Sequence, residues 1–176
     1  MKKVLKDQSG FTLVEMIIVI IIMGILAAVI VPQIGTTSDD AKLSAVKQDL
    51  SSMRNAVEIY YSQHNSAYPG ANDVDGVATA DNVVAATAFV RQLTEYTDVY
   101  GDCVGVKDAT HKYGPYAKGG QLPVNPFNDS NAVTCDAGET NITARTSDGV
   151  NTAGWHFRPK TGVLVANDND THATGL

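Results

Sequence analysis

Catalytic signatures are what this chain most plainly lacks. Its 176 residues contain no G-x-S-x-G, no H-E-x-x-H and no phosphate-loop G-x-x-x-x-G-K-[ST]. The four histidines, His64, His111, His156 and His172, show no metal-ligand spacing and read as surface or strand residues. An enzyme is therefore not expected. Basic charge is short as well: 13 Lys and Arg face 19 Asp and Glu, for a net charge of −6. Three lysines against Asp7 make the first ten residues +2, so the remainder carries −8. That acidity excludes the electrostatic footprint of a nucleic-acid binder.

What is present is a long apolar run near the start, SGFTLVEMIIVIIIMGILAAVIVP, residues 9–32, holding one acid, Glu15. On an insertion scale a central carboxylate costs about 2.5–3.5 kcal/mol, while each Ile, Leu, Val or Phe returns about 0.3–0.6 kcal/mol. The aliphatics win, so Glu15 is a tolerated cost that needs a reason. As a helix the run from Phe11 to Val31 reaches about 30 Å, enough to cross the hydrocarbon. Lys2, Lys3 and Lys6 precede it and the acidic remainder follows, which places the N-terminus inside and the head outside. A secretory signal has a shorter apolar core and a small-residue cleavage site, and LAAVIVPQ offers no such site.

The residues Lys2, Lys3, Gly10-Phe11-Thr12-Leu13-Val14-Glu15 and an apolar helix with Gly24 and Pro32 resemble the N-terminus of type IV pilins and of type II secretion pseudopilins. The resemblance implies a leader of residues 1–10, cleavage after Gly10 by a prepilin peptidase, and methylation of the new Phe11 amine. It also implies that Glu15 acts in filament assembly, with an assembly platform and an assembly ATPase as partners. Cleavage there keeps the apolar helix attached and creates a cation one turn from Glu15. In a bundle of such helices the acid of one subunit meets the amine of its neighbour, a pairing that sets axial register. The alternative reading of Glu15 is an acid near the interface, stabilised by the positive end of its own helix.

Beyond the leader, residues 11–35 are expected to be a transmembrane or filament-core helix and residues 36–176 an exported head. The fold class expected is α+β: a long helical spine packed on a small antiparallel sheet. Pro32 and Gly35 predict a bend or local melting over residues 31–37, read either as a hinge or as the end of the span. Leu43, Val46, Leu50, Met53, Val57 and Tyr60 recur at intervals of three and four and predict one apolar stripe, ending near His64 or Asn65. Asp81 is placed to cap a second helix through about Tyr96, with Ala86, Phe89, Val90 and Leu93 inward. Trp155–Arg158 and Val163–Ala166 flank a Pro-Lys-Thr-Gly turn and predict a hairpin. That hairpin, and LPVNPFND at residues 122–129, resemble the C-terminal part of major pseudopilins.

Cys103 and Cys135 lie in the exported part, where a disulfide closing a loop of about 33 residues would contribute roughly 3–4 kcal/mol. Two buried thiols are the alternative. No resident cofactor is expected, with calcium the one candidate. Asp73, Asp75 and Gly76 imitate the middle of an EF-hand loop, but Ala71 and Asn82 stand where its first acid and terminal glutamate belong. Asn167, Asp168 and Asp170 are a second cluster, for which the pseudopilin resemblance implies calcium and composition alone implies solvated turns. The function expected is a self-assembling filament subunit, a pilus or a pseudopilus, that starts in the inner membrane. The rival is an exported enzyme or ligand-binding domain that uses residues 11–31 as a plain anchor.

Overall fold

The computed structural model describes residues 11–150 and 152–176, with the side chains of residues 29–37 outside the description. The chain divides into two compact units, residues 1–41 and 42–176. Helix α1 spans Leu13–Gln63, and its assignment runs without interruption through residues 31–37. The hinge candidates Pro32 and Gly35 fall among the side chains outside the described residues.

In the second unit α1 presents the stripe expected from its spacing. Val46, Leu50, Met53, Val57 and Tyr60 are buried, while Leu43 is half-buried. Spacing of three and four keeps them on one face of a 3.6-residue helix, so one continuous apolar ridge enters the core. Helix α2, Asn82–Thr94, begins where Asp81 accepts hydrogen bonds from the amides of Val83 and Val84. Those two donors have no partner inside the helix, so the cap defines its start. The buried face is Ala85, Ala88, Phe89, Gln92 and Leu93. Phe89 and Leu93 face inward as expected, and Ala86 and Val90 are half-buried and pack against the same core.

Strands β1 (Tyr96–Thr97) and β2 (Cys103–Val104) form a small antiparallel pair. Strands β3 (Val133–Cys135), β4 (Trp155–Arg158) and β5 (Val163–Ala166) form a three-stranded sheet in that order. The hairpin β4–β5 has the bounds expected, with Trp155 opposite Ala166 and Arg158 opposite Val163. Gly162 closes its turn at φ +72°, and a Cβ there would come 2.4 Å from the Tyr68 ring. One expectation needs correction: the head's sheet is mixed, because β3 runs parallel to β4. Parallel neighbours need a long crossover, and residues 136–154 supply it. A short helix α3, Asp170–Gly175, follows β5.

Strand β4 is the centre of the head, buried at all four positions. Phe157 meets Phe89 of α2 with ring centroids 4.4 Å apart, and Trp155 donates its indole N–H to the Pro123 carbonyl at 2.8 Å. Asn125, fully buried, donates to the Gly154 carbonyl at 3.0 Å and accepts from the Phe127 amide at 3.0 Å. The loop at residues 122–129 is thereby sewn onto the sheet. Gly154 permits the approach: a Cβ there would lie 1.9 Å from the Ser130 carbonyl oxygen. Arg54 of α1 donates to the Leu164 carbonyl at 2.8 and 3.2 Å, tying the helix to β5. Gln92 joins α2 to the loops on either side of it. It accepts from the Gly70 amide at 2.8 Å and donates toward the carbonyls of Asn72, Asp73 and Gly101 at 3.0–3.2 Å.

Candidate functional site

The site begins at the first described residues. Phe11 is 85% exposed and Thr12 lies just outside α1. The Thr12 hydroxyl oxygen accepts from the Glu15 amide at 3.2 Å. Glu15 reaches back, and its Oε2 accepts from the Thr12 amide at 2.7 Å and from the Thr12 hydroxyl at 2.8 Å. This reciprocal pair is a capping box, which satisfies two backbone donors that a helix start leaves open. The T-x-x-E spacing ahead of an apolar run was its signal in the sequence. In the single chain Glu15 is thus held by its own helix end. Only Oε2 is used, and Oε1 accepts no hydrogen bond among the described residues.

Every residue from Phe11 to Ala28 is exposed, including Leu13, Met16, Ile18, Ile21, Ile25 and Leu26. Apolar side chains thus point outward all around the helix, far more than a soluble monomer leaves bare. Among the described residues, no helix is long and apolar enough to cross a membrane. The span expected over residues 11–31 continues into residues 29–31, whose side chains lie outside the description. Gly10 lies outside the described residues, so the cleavage position expected there has no structural account.

The expected disulfide is corrected: Cys103 and Cys135 are both free and buried. They belong to different sheets, Cys103 to β2 and Cys135 to β3, so neither strand pairing brings them together. Cys103 donates its S–H to the Gly101 carbonyl at 3.2 Å. Burial pushes each thiol up to about 12.

The three side chains of the calcium candidate all have protein partners. Asn167 is fully buried, accepting from the Asp148 amide at 2.7 Å and donating to the Ala153 carbonyl at 3.3 Å. Asp168 accepts from Asn125 at 3.2 Å, from Asn169 at 2.8 Å, and faces the His172 ring. Asp170 accepts from the amide and hydroxyl of Ser147 at 3.0 and 2.7 Å. Asp73 closes its own turn by accepting from the amides of Asp75 and Val77. Among the described residues, no group of three or more His, Cys, Asp or Glu is arranged to hold a metal ion.

Two histidines expected at the surface or in a strand are instead buried outside any strand. His64 stacks on Tyr60 at 3.6 Å, donates from Nδ1 to the Tyr60 carbonyl and accepts at Nε2 from the Thr97 hydroxyl, each at 2.8 Å. The carbonyl can only accept, which decides the tautomer. Burial lowers the His64 pKa. His111 is also buried, with Nδ1 2.9 Å from Asp108 and Nε2 3.3 Å from Asp102; the hydrogen bond to Asp108 raises its pKa. His156 is the strand residue expected, bonded to Thr134 at 2.9 Å. Neither interior position was legible, since each depends on partners distant in sequence or on loop geometry.

A family model described as the prokaryotic N-terminal methylation motif matches residues 5–31. The chain is 44% identical over 64 residues to the type II secretion system core protein G of Pseudomonas aeruginosa, covering 36% of this chain and 44% of that protein. It is 41% identical over 76 residues to a fimbrial protein of Neisseria meningitidis, covering 43% of this chain and 44% of that protein. It is 36% identical over 97 residues to the type IV major fimbrial protein FimA of Dichelobacter nodosus, covering 51% of this chain and 62% of that protein. The chain thus spans under half the length of the first relatives it matches. No solved structure is a significant match. Residues 5–31 carry the N-terminal methylation motif, and by that segment and these relatives the chain resembles the type IV pilin and type II secretion pseudopilin family.

Proposed function

We propose that the chain is a structural subunit of a filament, a type IV pilus or a type II secretion pseudopilus, and not an enzyme. The observation that carries this is the half-used carboxylate at the start of an exposed apolar helix. Glu15 spends Oε2 on Thr12 and keeps Oε1 for a donor from outside its own subunit. Cleavage after Gly10 by a prepilin peptidase creates that donor, the amine of Phe11, and methylation leaves it a cation. In a bundle of helices the amine of one copy meets the Glu15 of the next. Their attraction offsets the loss of water and favours one axial register among many apolar ones.

The precursor sits in the inner membrane with its N-terminus inside and its head exported. Lipid tails and neighbouring helices are similarly apolar, so moving the helix from bilayer to filament changes its burial free energy little. Work from a cytoplasmic assembly ATPase, applied through an inner-membrane platform, then drives extraction. Pro32 and Gly35 act as a hinge that lets α1 adapt to its neighbours. The relatives include both secretion and fimbrial proteins, and both uses remain within this reading.

Mass spectrometry of the N-terminal peptide from sheared surface material, with electron microscopy of the same fraction, tests the proposal. Mature protein beginning at methylated Phe11 within filaments is the expected result. An intact Met1 terminus, or cleavage beyond the apolar run, supports instead a plain anchor for an exported domain. Normal filaments from Glu15→Val would remove the assembly role of that acid.

A further inference from the structure

Between the second half of α1, the end of α2 and the loop at residues 116–124 lies a groove of about 630 Å³. Its apolar lining includes Met53 and Ala56 of α1, Leu93 of α2, and Leu122. Asp49 and Lys118 also line it, and the Asp49 carboxylate makes no hydrogen bond or ion pair among the described residues. Desolvation holds that carboxyl above its ordinary pKa, as expected of a half-covered acid that forms no ion pair. The groove therefore suits an apolar side chain with a cation beside it.

The same head carries such a pair elsewhere. Val106 is 80% exposed, the most exposed of the large apolar side chains named for residues 42–176, and Lys107 follows it. The Lys107 ammonium lies 5.9 Å from the Tyr96 ring and meets no carboxylate among the described residues. A bare apolar corner beside a lysine thus complements an apolar groove beside an unpaired acid.

We propose that the groove receives the Val106–Lys107 corner of a second copy of the chain, with Val106 against its apolar lining and Lys107 paired with Asp49. The inference rests on the filament reading and adds the contact between heads. Groove and corner are different surfaces, so the contact is head-to-tail, and such a contact propagates as a filament when its rotation does not close. The opposite charges set the register of that contact and disfavour wrong pairings.

The test uses the full chain, assembled in cells, with engineered thiols. Both native cysteines are buried and leave the background low. Cells producing one copy with Ser52→Cys and another with Val106→Cys should give filaments that a short bismaleimide links into dimers. Either variant alone should give monomer, and the double variant a ladder. Asp49→Lys should lower the yield of linked product about tenfold, the sense expected of a like-charge contact, and Lys107→Asp in the same chain should restore it. That restoration separates lost pairing from lost folding. Filaments without the cross-link, a link indifferent to Asp49→Lys, or a link from Ser52→Cys to another protein each overturn the contact while leaving the filament reading intact. Absence of filaments from the unmodified chain overturns both.

Discussion

Replacing Gln92 by methionine removes polar bonds while keeping the length of the side chain. Gln92 is fully buried, and its oxygen accepts from the Gly70 amide, itself buried, at 2.8 Å. That amide has no other acceptor among the described residues, so the variant leaves a buried N–H orphaned at about 1–3 kcal/mol. The losses on the donor side are milder. The Asp73 carbonyl keeps the Gly76 amide at 3.2 Å, and the Gly101 carbonyl keeps the Cys103 thiol at 3.2 Å. Each of the three weakened carbonyls, that of Asn72 included, adds roughly 0.5 kcal/mol, for a total of about 3 kcal/mol. For a head of this size that corresponds to a fall in melting temperature of roughly 10 °C. Trp155 is the single tryptophan and fully buried, so its fluorescence reports the loss of the core directly. Thermal melts of the full chain in detergent check the figure. A fall of less than about 2 °C would refute the bridging role given to Gln92.

Thr12→Val removes the hydroxyl half of the capping box and should cost the helix start about 1 kcal/mol, read as about fivefold faster amide hydrogen exchange at Glu15 in micelles. His64 and His156 have lowered pKa values because they are buried, so the unfolded chain binds more protons as the pH drops. Stability should therefore fall below about pH 6.5, the unfolded histidine value. His111, with its raised pKa, acts in the opposite sense, and His64→Gln should flatten the loss in melts recorded from pH 8 to about pH 5. Ellman's reagent should find neither thiol in the native protein and both after unfolding, whereas a disulfide would yield none in either state without reductant. Calcium should leave the melting temperature unchanged, because Asp168 and Asp170 already accept protein hydrogens. A rise on titration with calcium would contradict that assignment.

Much of the head was legible from local pattern because its determinants are local. The α1 stripe from Val46 to Tyr60 follows from spacing alone, Asp81 caps α2 by bonding residues two and three ahead, and β4–β5 is a hairpin closed by Pro-Lys-Thr-Gly. The N-terminal segment was legible for the same reason, since Gly10, Phe11 and Glu15 belong to one short motif. The capping box is equally local, carried by the T-x-x-E spacing of Thr12 and Glu15.

The sequence by itself determined the apolar N-terminal helix, the faces that α1 and α2 turn inward, and the hairpin, because helix and strand periodicities act over a few residues. Tertiary structure alone decided the rest. β3 pairs in parallel with β4 only after the crossover at residues 136–154 returns the chain, and no short window contains both partners. His64 is satisfied by Thr97, Asn125 by Gly154, and Gln92 by Gly70 and Gly101, so each polar group is buried where distant backbone comes within 3 Å of it. Cys103 and Cys135 suggested a bond by count and compartment, yet lie in separate sheets. Burial of a polar group is tolerated only once its partner is in place, and that partner is chosen by the fold.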